Sequence, residues 1–256
     1  MDAAVNLREQ PEIRELFEAL EENGLEKEQQ EVESLVNYLE GMESQFGKVL
    51  EELKEVRGQL TQIQDKGIRA TAARVVDNVE NKVQEVGSQI SLIKQNLIRS
   101  AKNAMGSFKE KGVDALRKAV SAMKIPNAFF LLKEGLHSGM ENMNKNAEKI
   151  GMIASELHMA KEYTKNAGRV LFGRRVKEPA ERNTDRGILA KIQKAFLSCG
   201  KLFSGMEKAA ENAMKETEQF VRGAGKKPSV KAELKRIKSG KSAKPAMQTP
   251  QQAKSR

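Results

Sequence analysis

The chain has 256 residues, of which 31% are charged and 4% aromatic; it has no tryptophan and a formal net charge of +10. So few aromatic residues exclude a thick globular core, and the composition is typical of long helices with narrow apolar stripes. The single cysteine, Cys199, excludes an intrachain disulfide and a zinc site built from several thiolates of this chain.

Charge is distributed unevenly along the chain. Residues 1–65 carry 17 acidic and 6 basic side chains, a net charge of −11, and residues 66–221 have a net charge of +11. The last 35 residues carry 11 basic side chains and one acidic side chain. Charge blocks of this kind indicate association with oppositely charged surfaces, but they do not select a fold.

The N-terminal quarter predicts a short helix followed by a long acidic helix. Residues 1–24 contain an amphipathic helix that starts near Pro11 and stops at Gly24, which supplies the left-handed terminal position. Over residues 25–66, apolar residues recur at steps of three and four, the heptad pattern of a helix-packing seam. The members of this first seam are Leu35, Leu39, Met42, Phe46, Val49, Leu53, Val56, Leu60 and Ile63.

A second seam follows a bend predicted at residues 65–67 (DKG). It belongs to a basic helix over residues 67–125, which ends there because Pro126 disfavours helical angles at Ile125. The pattern leaves open whether residues 26–124 form one rod or a hairpin. The members of the second seam are Val79, Val83, Val86, Ile90, Ile93 and Leu97.

The third long helix is predicted over residues 126–173 and is rich in glycine and methionine. Gly135, Gly139 and Gly151 lie in its interior. Each interior glycine costs up to about 1 kcal/mol relative to alanine. We therefore expect this helix to be less stable or kinked unless packing supports it.

The remaining sequence predicts a linker, a helix and a tail. Residues 174–184 contain three arginines and a proline, without an apolar period, which indicates a linker. Apolar periodicity resumes over residues 185–222 and predicts a further helix. Residues 223–256 are rich in lysine and poor in apolar residues, so they predict a disordered basic tail.

Three stretches resemble an uncharacterised family of helical proteins carried on conjugative and integrative elements of gut Gram-positive anaerobes. They are residues 23–30 (NGLEKEQQ), 63–67 (IQDKG) and 183–192 (NTDRGILAKI). The resemblance covers about residues 10–222 and leaves out the tail. It implies an accessory protein of a mobile genetic element, with no known catalytic residues to carry over.

The residues that most often carry chemistry are sparse here. His137 and His158 are 21 positions apart, a separation of about 30 Å along one helix, which is too far to share a metal ion. Cys199 falls in the apolar seam of the last helix, where a buried and inert thiol is expected. We predict no catalytic, metal or cofactor site and expect the chain not to be an enzyme.

The fold class predicted is all-α, with long helices and heptad seams forming an elongated bundle or coiled coil. The seams must be covered, either within the chain or by a partner, so the favoured function is a helical interaction or scaffold protein. Its partner would be a second copy or another helical protein. The acidic N-terminus and the lone thiol favour a soluble cytoplasmic protein, and no apolar run is long enough to span a membrane.

Two other functions fit parts of the sequence. The basic tail favours non-specific nucleic-acid binding, because its cations would neutralise phosphates, although a tail that only increases solubility fits equally well. Its contact residues would be Lys226, Lys227, Lys231, Lys235, Arg236, Lys238, Lys241 and Lys244. Residues 97–124 form a basic amphipathic stretch that would suit a membrane surface, but the continuing heptad pattern favours bundle packing.

Overall fold

The structure is a computed structural model that describes residues 6–123, 125–183 and 186–224. These residues form six α-helices and a short 3-10 helix (Leu7–Glu9), without a strand, which confirms the predicted all-α fold class. The chain divides into two compact units, residues 1–218 and 219–256. Of the second unit the structure describes only residues 219–224, the end of the last helix.

The first two helices are joined by a tight glycine turn. Helix α1 (Pro11–Glu22) begins with a proline in its first turn, and α2 (Glu26–Thr61) follows. Gly24 has a φ of +65°, and the Leu25 N–H donates to the Leu20 carbonyl at 2.9 Å. Since Leu20 and Leu25 are both buried, the hydrogen bond and the apolar contact typical of a Schellman ending stop α1 where the sequence predicted.

A second tight turn reverses the chain between α2 and α3 (Lys66–Lys111). The Asp65 carboxylate accepts a hydrogen bond from the Ile68 N–H at 2.9 Å and so caps the first turn of α3. Residues 26–111 are therefore a helical hairpin, which answers the question of rod or hairpin that the periodicity leaves open.

The two helices of this hairpin run antiparallel. Near the turn, the Arg57 Nε donates to the Glu80 carboxylate at 2.6 Å. Farther from the turn, the Lys94 Nζ lies 2.5 Å from the Glu43 carboxylate. Contacts that move backward along α2 as they move forward along α3 define the antiparallel pairing.

The single basic helix predicted over residues 67–125 is in fact interrupted. The Gly112 N–H closes α3 by donating to the Phe108 carbonyl at 2.8 Å, and Gly112 itself has a φ of +76°. This left-handed conformation, which glycine adopts readily, turns the chain into the short helix α4 (Val113–Ser121). Ile125, predicted to end the second helix, is instead the first residue of α5 (Ile125–Leu171).

Helix α5 is continuous despite its interior glycines. A Cβ on Gly135 would collide with the Gln89 amide of α3, and a Cβ on Gly139 would collide with the Phe203 ring. Gly151 makes the same kind of close contact with Gln193. These glycines create space for side chains of neighbouring helices, and packing offsets their low helix propensity.

The last helix, α6 (Ile188–Ala224), completes a ring of four helices. It packs against α5 through Phe203 and against α2, where the Tyr38 hydroxyl donates to the Glu216 carboxylate at 2.8 Å. Burial and this hydrogen bond raise the pKa of Tyr38. The order around the ring is α2, α3, α5, α6, and each helix runs antiparallel to its neighbours, the up-down-up-down arrangement of a four-helix bundle.

The short helices α1 and α4 pack at the end of the bundle away from the α2–α3 turn. The Glu15 carboxylate of α1 lies 2.7 Å from the Lys109 Nζ near the end of α3. On α4, the Arg117 Nε lies 3.3 Å from the Glu28 carboxylate at the start of α2. The two ends of the bundle therefore differ, with the short helices at one end and the α2–α3 turn at the other.

One polar cluster lies between α3 and α5. Asn146 is 1% exposed, and its Nδ2 donates to the Asn78 Oδ1 at 3.0 Å and to the Asn142 side-chain oxygen at 2.8 Å. Asn142 itself donates to the same Asn78 oxygen at 2.8 Å. The cluster joins the two helices at one position by hydrogen bonds rather than by apolar contact.

Candidate functional site: the projecting end of α5

Both predicted seams lie in the interior of the bundle. Every member of the first and second seams is buried except Phe46, which is partly buried and packs its ring against Gly87. Since these apolar residues are covered by helices of the same chain, the bundle does not need a second copy to bury them. Their role in assembly between chains stays a prediction.

The stretch predicted as a membrane-surface alternative, residues 97–124, uses its apolar residues in the same way. Leu97, Met105, Leu116 and Val120 are all buried. No helix in the described part of the chain is long and apolar enough to cross a membrane. The apolar stripe of this stretch therefore faces protein rather than the surface.

The lone thiol is buried where the last helix faces the bundle interior. Burial, with a smaller contribution from the Glu52 carboxylate, raises the pKa of Cys199 to about 12. We expect Ellman's reagent to label Cys199 only after unfolding, at pH 7 and at pH 9 alike, because the thiol is both inaccessible and protonated. The control is a Cys199→Ser chain that carries Leu197→Cys at a partly exposed position of the same helix, and it should react at once. Fast labelling of the native wild type would contradict the burial of Cys199.

The two histidines have separate polar partners. His137 lies 3.1 Å from the Glu207 carboxylate and 3.4 Å from that of Glu141. The His158 Nε2 lies 2.7 Å from the Ala180 carbonyl, and since a carbonyl only accepts, this nitrogen carries the proton. Within the described ranges, no group of three or more metal-binding side chains is assembled.

The end of α5 extends beyond the packed bundle. Ala154 is the last buried residue of α5, and no residue of 155–183 is buried. Helix α6 starts at Ile188, and its Gln193 lies against Gly151, so the part of α5 after Ala154 runs past the start of α6. It amounts to about 25 Å of helix at 1.5 Å per residue. Residues 155–183 are called the α5 projection below.

The predicted linker folds back along this exposed helix. The Asn166 side chain donates to the Lys177 carbonyl at 2.7 Å and accepts from the Lys177 N–H at 3.1 Å. Nearer the bundle, the Arg182 guanidinium donates to the Gly151 carbonyl at 2.8 Å and to the Ser155 hydroxyl at 2.9 Å. The linker is therefore a strap that holds the returning chain against α5.

The turn between helix and strap forms an apex with a defined geometry. Gly173 has a φ of +67°, its N–H donates to the Val170 carbonyl at 3.0 Å, and the Arg174 N–H donates to the Arg169 carbonyl at 2.8 Å. This pair of bonds is a Schellman ending. It places Leu171 and Phe172, which are 84% and 83% exposed, at the tip.

A cleft of about 860 Å³ lies at the base of the projection, next to the α2–α3 turn. Its walls include Asp65, His158, Arg182 and Arg186, together with the first residues of α6. Asp65 caps α3, while His158 and Arg182 hold the strap, so these three side chains have structural roles. Two of the three stretches that carry the sequence resemblance, residues 63–67 and 183–192, line this cleft. The cleft thus lies where the base of the projection meets the bundle.

One family model matches residues 9–256, and its description is a family of unknown function, DUF6674. The chain belongs to this family. No curated protein matches the chain. No solved structure matches it either.

The family match extends the sequence resemblance in one respect. The resemblance was expected to end near residue 222, whereas the DUF6674 match continues to residue 256 and includes the basic tail. The tail's predicted contact residues, from Lys226 to Lys244, lie outside the described residues.

Sequence reasoning missed the apex of this DUF6674 chain. Residues 174–184 were interpreted as a linker, and Leu171 was included in the helix predicted over residues 126–173 without being singled out, although it is exposed. The available signal was local: three successive apolar residues, Val170 to Phe172, precede a glycine and two arginines. Three successive apolar residues point to different sides of a helix, so they do not fit a single buried stripe.

Proposed function

We propose that this DUF6674 chain is a non-enzymatic interaction protein, in which the bundle is a rigid support and the α5 projection is the contact surface. The observation that carries the proposal is the exposure of Leu171 and Phe172 at a well-defined apex. Exposed apolar clusters on folded proteins commonly mark binding sites. An apex held by a Schellman ending and a strap is preorganised, which lowers the entropy cost of binding.

Two features support binding over catalysis. Asp65, His158 and Arg182 of the cleft are engaged in capping and strap contacts, and the raised pKa of Cys199 keeps its thiol protonated. A catalytic nucleophile needs an adjacent base or a lowered pKa. We place the protein in the cytoplasm as an accessory factor of a mobile genetic element, the setting that the sequence resemblance implies.

Site-specific photo-crosslinking tests the proposed contact surface. A benzoylphenylalanine at Phe172 should give a defined adduct in cells, whereas the same residue at Leu197, partly exposed on the side of the bundle, should give none. Adducts at neither position, or at both to the same extent, would contradict an interaction surface at the apex.

Nucleic-acid binding through the tail is a second candidate, supported by the charge of residues 222–256 and by the inclusion of these residues in the family match. We expect duplex DNA to bind the full chain and not a chain ending at Ala224. Affinity should fall steeply with salt, because each neutralised phosphate releases a counterion. A second variant keeps the tail but replaces Lys226, Lys227, Lys231 and Lys235 by glutamine, and it should bind DNA more weakly. Binding that does not depend on salt, or equal binding by the truncated chain, would exclude the tail as the DNA-binding segment.

A further inference from the structure

We infer that the apex of the α5 projection binds an anionic phospholipid surface, inserting Leu171 and Phe172 between headgroups while the surrounding cations contact phosphate. The inference rests on the proposed function, because it names the partner of the same surface. It differs from the alternative based on residues 97–124, whose apolar side chains are buried.

The charge around the apex is of one sign. Residues 163–177 contain five basic side chains and no acidic one: Lys165, Arg169, Arg174, Arg175 and Lys177. Of these, only Lys165 has an ion-pair partner, Glu162, among the residues that the structure describes. Arg174 and Arg175 follow the apolar tip after Gly173, and both are exposed. Cations next to a membrane contribute roughly 1 kcal/mol each when the surface is anionic.

The arrangement of the apolar residues favours a lipid over a protein groove. Val170, Leu171 and Phe172 are consecutive, and successive helical positions differ by about 100° around the axis. Their side chains therefore spread over about 200° around the axis at the tip, and Val176 on the strap adds a further exposed apolar side chain. A protein groove recognises a helix through one stripe with spacing of three and four, whereas a headgroup region accepts apolar groups on all sides.

The position of the acidic helix α1 also suits this orientation. Helix α1 contains five glutamates and one arginine, and it packs at the end of the bundle opposite the α2–α3 turn. The projection leaves from the end that contains this turn, since the cleft at its base is bordered by residues 62–65. With the apex on an anionic surface, the acidic helix lies on the far side.

The absence of tryptophan from the sequence provides a direct test. In the full chain, Phe172→Trp introduces the only indole, and Phe130→Trp, at a 54% exposed phenylalanine on the side of the bundle, is the matched control. Vesicles of phosphatidylserine and phosphatidylcholine should shift the Phe172→Trp emission to the blue and leave the control unchanged. Pure phosphatidylcholine should shift neither variant, because the cations then lack an anionic surface.

Co-sedimentation separates the apex from the basic tail. The pair Leu171→Ser and Phe172→Ser should weaken binding to the anionic vesicles by about tenfold or more. The pair Leu92→Ser and Leu131→Ser, which removes two exposed leucines from the bundle side, should have no effect. Replacing Arg174 and Arg175 by glutamine should weaken binding by roughly thirtyfold, and more than the same change at Lys241 and Lys244 of the tail. Circular dichroism should show unchanged helicity for all four pairs.

The outcomes distinguish the lipid from other partners. No blue shift of Phe172→Trp, or equal losses from the apex and control pairs, would overturn the lipid inference. If crosslinks from position 172 to a protein or a nucleic acid form at the same time, the proposed interaction function stands with a different partner. If the apex gives neither a crosslink nor a vesicle response, both proposals fail.

Discussion

Replacing Leu39 by aspartate is expected to unfold the bundle rather than separate two copies of it. Leu39 is fully buried in the first seam, and its environment is supplied by helices of the same chain. An unpaired carboxylate at such a position loses its hydration without gaining a partner. We expect the free energy of unfolding to fall by about 4 kcal/mol or more, because burial of an unpaired charge is among the most destabilising effects of a single substitution.

Circular dichroism and light scattering together decide between the two interpretations of the seam. If the seam joined two chains, Leu39→Asp would give a helical protein of lower mass than the wild type. The present fold predicts a loss of helicity instead. Leu92→Asp, at an exposed position of α3, should retain both helicity and mass, and a folded Leu39→Asp protein of reduced mass would refute internal burial.

Replacing Gly139 by alanine is expected to destabilise the protein even though alanine is the better helix former. A Cβ at this position would overlap the ring atoms Cδ1 and Cε1 of Phe203, which is fully buried, so the ring or the helix must shift. Overpacking of a core costs about 1–3 kcal/mol, and the helix propensity of alanine returns up to about 1 kcal/mol. We expect a net loss of about 1–2 kcal/mol in denaturant unfolding.

The matched control is a glycine-to-alanine substitution that is expected to increase the free energy of unfolding. Gly47 lies in the interior of α2, and a Cβ there would meet nothing within 4 Å. Gly47→Ala should therefore stabilise the protein by about 0.5–1 kcal/mol. If both substitutions stabilise the protein by the same amount, the close contact between Gly139 and Phe203 is not present in solution.

Periodicity predicted the interior of this protein well, for a physical reason. Residues that face a neighbouring helix recur at steps of three and four, so the stripe from Leu35 to Ile63 is visible without knowledge of what covers it. The turn at Gly24 could also be anticipated, because its determinants are local: a glycine at the left-handed position and two leucines beside it.

What could not be predicted depends on distant parts of the chain. The pattern of a seam does not say which helix covers it. The order of α2, α3, α5 and α6 around the ring therefore could not be predicted, nor whether the seams are covered within the chain or by a partner. The cost assigned to Gly139 assumed an isolated helix, whereas its value is set by Phe203 on α6. Likewise, Leu171 continues the apolar spacing of α5, and only the starting point of α6 at Ile188 shows that no helix reaches it.

The asparagine cluster between α3 and α5 has a consequence for how the bundle forms. Apolar stripes of valine, isoleucine and alanine tolerate sliding, since one turn of displacement, about 5.4 Å, exchanges one apolar contact for another. Such a shift would carry Asn142 and Asn146 away from Asn78 and break the two hydrogen bonds that join the helices, without apolar contacts to replace them. A misaligned pairing of α3 with α5 is therefore less stable than the native one. The three asparagines select a single alignment between two helix surfaces that apolar contacts alone would allow to slide.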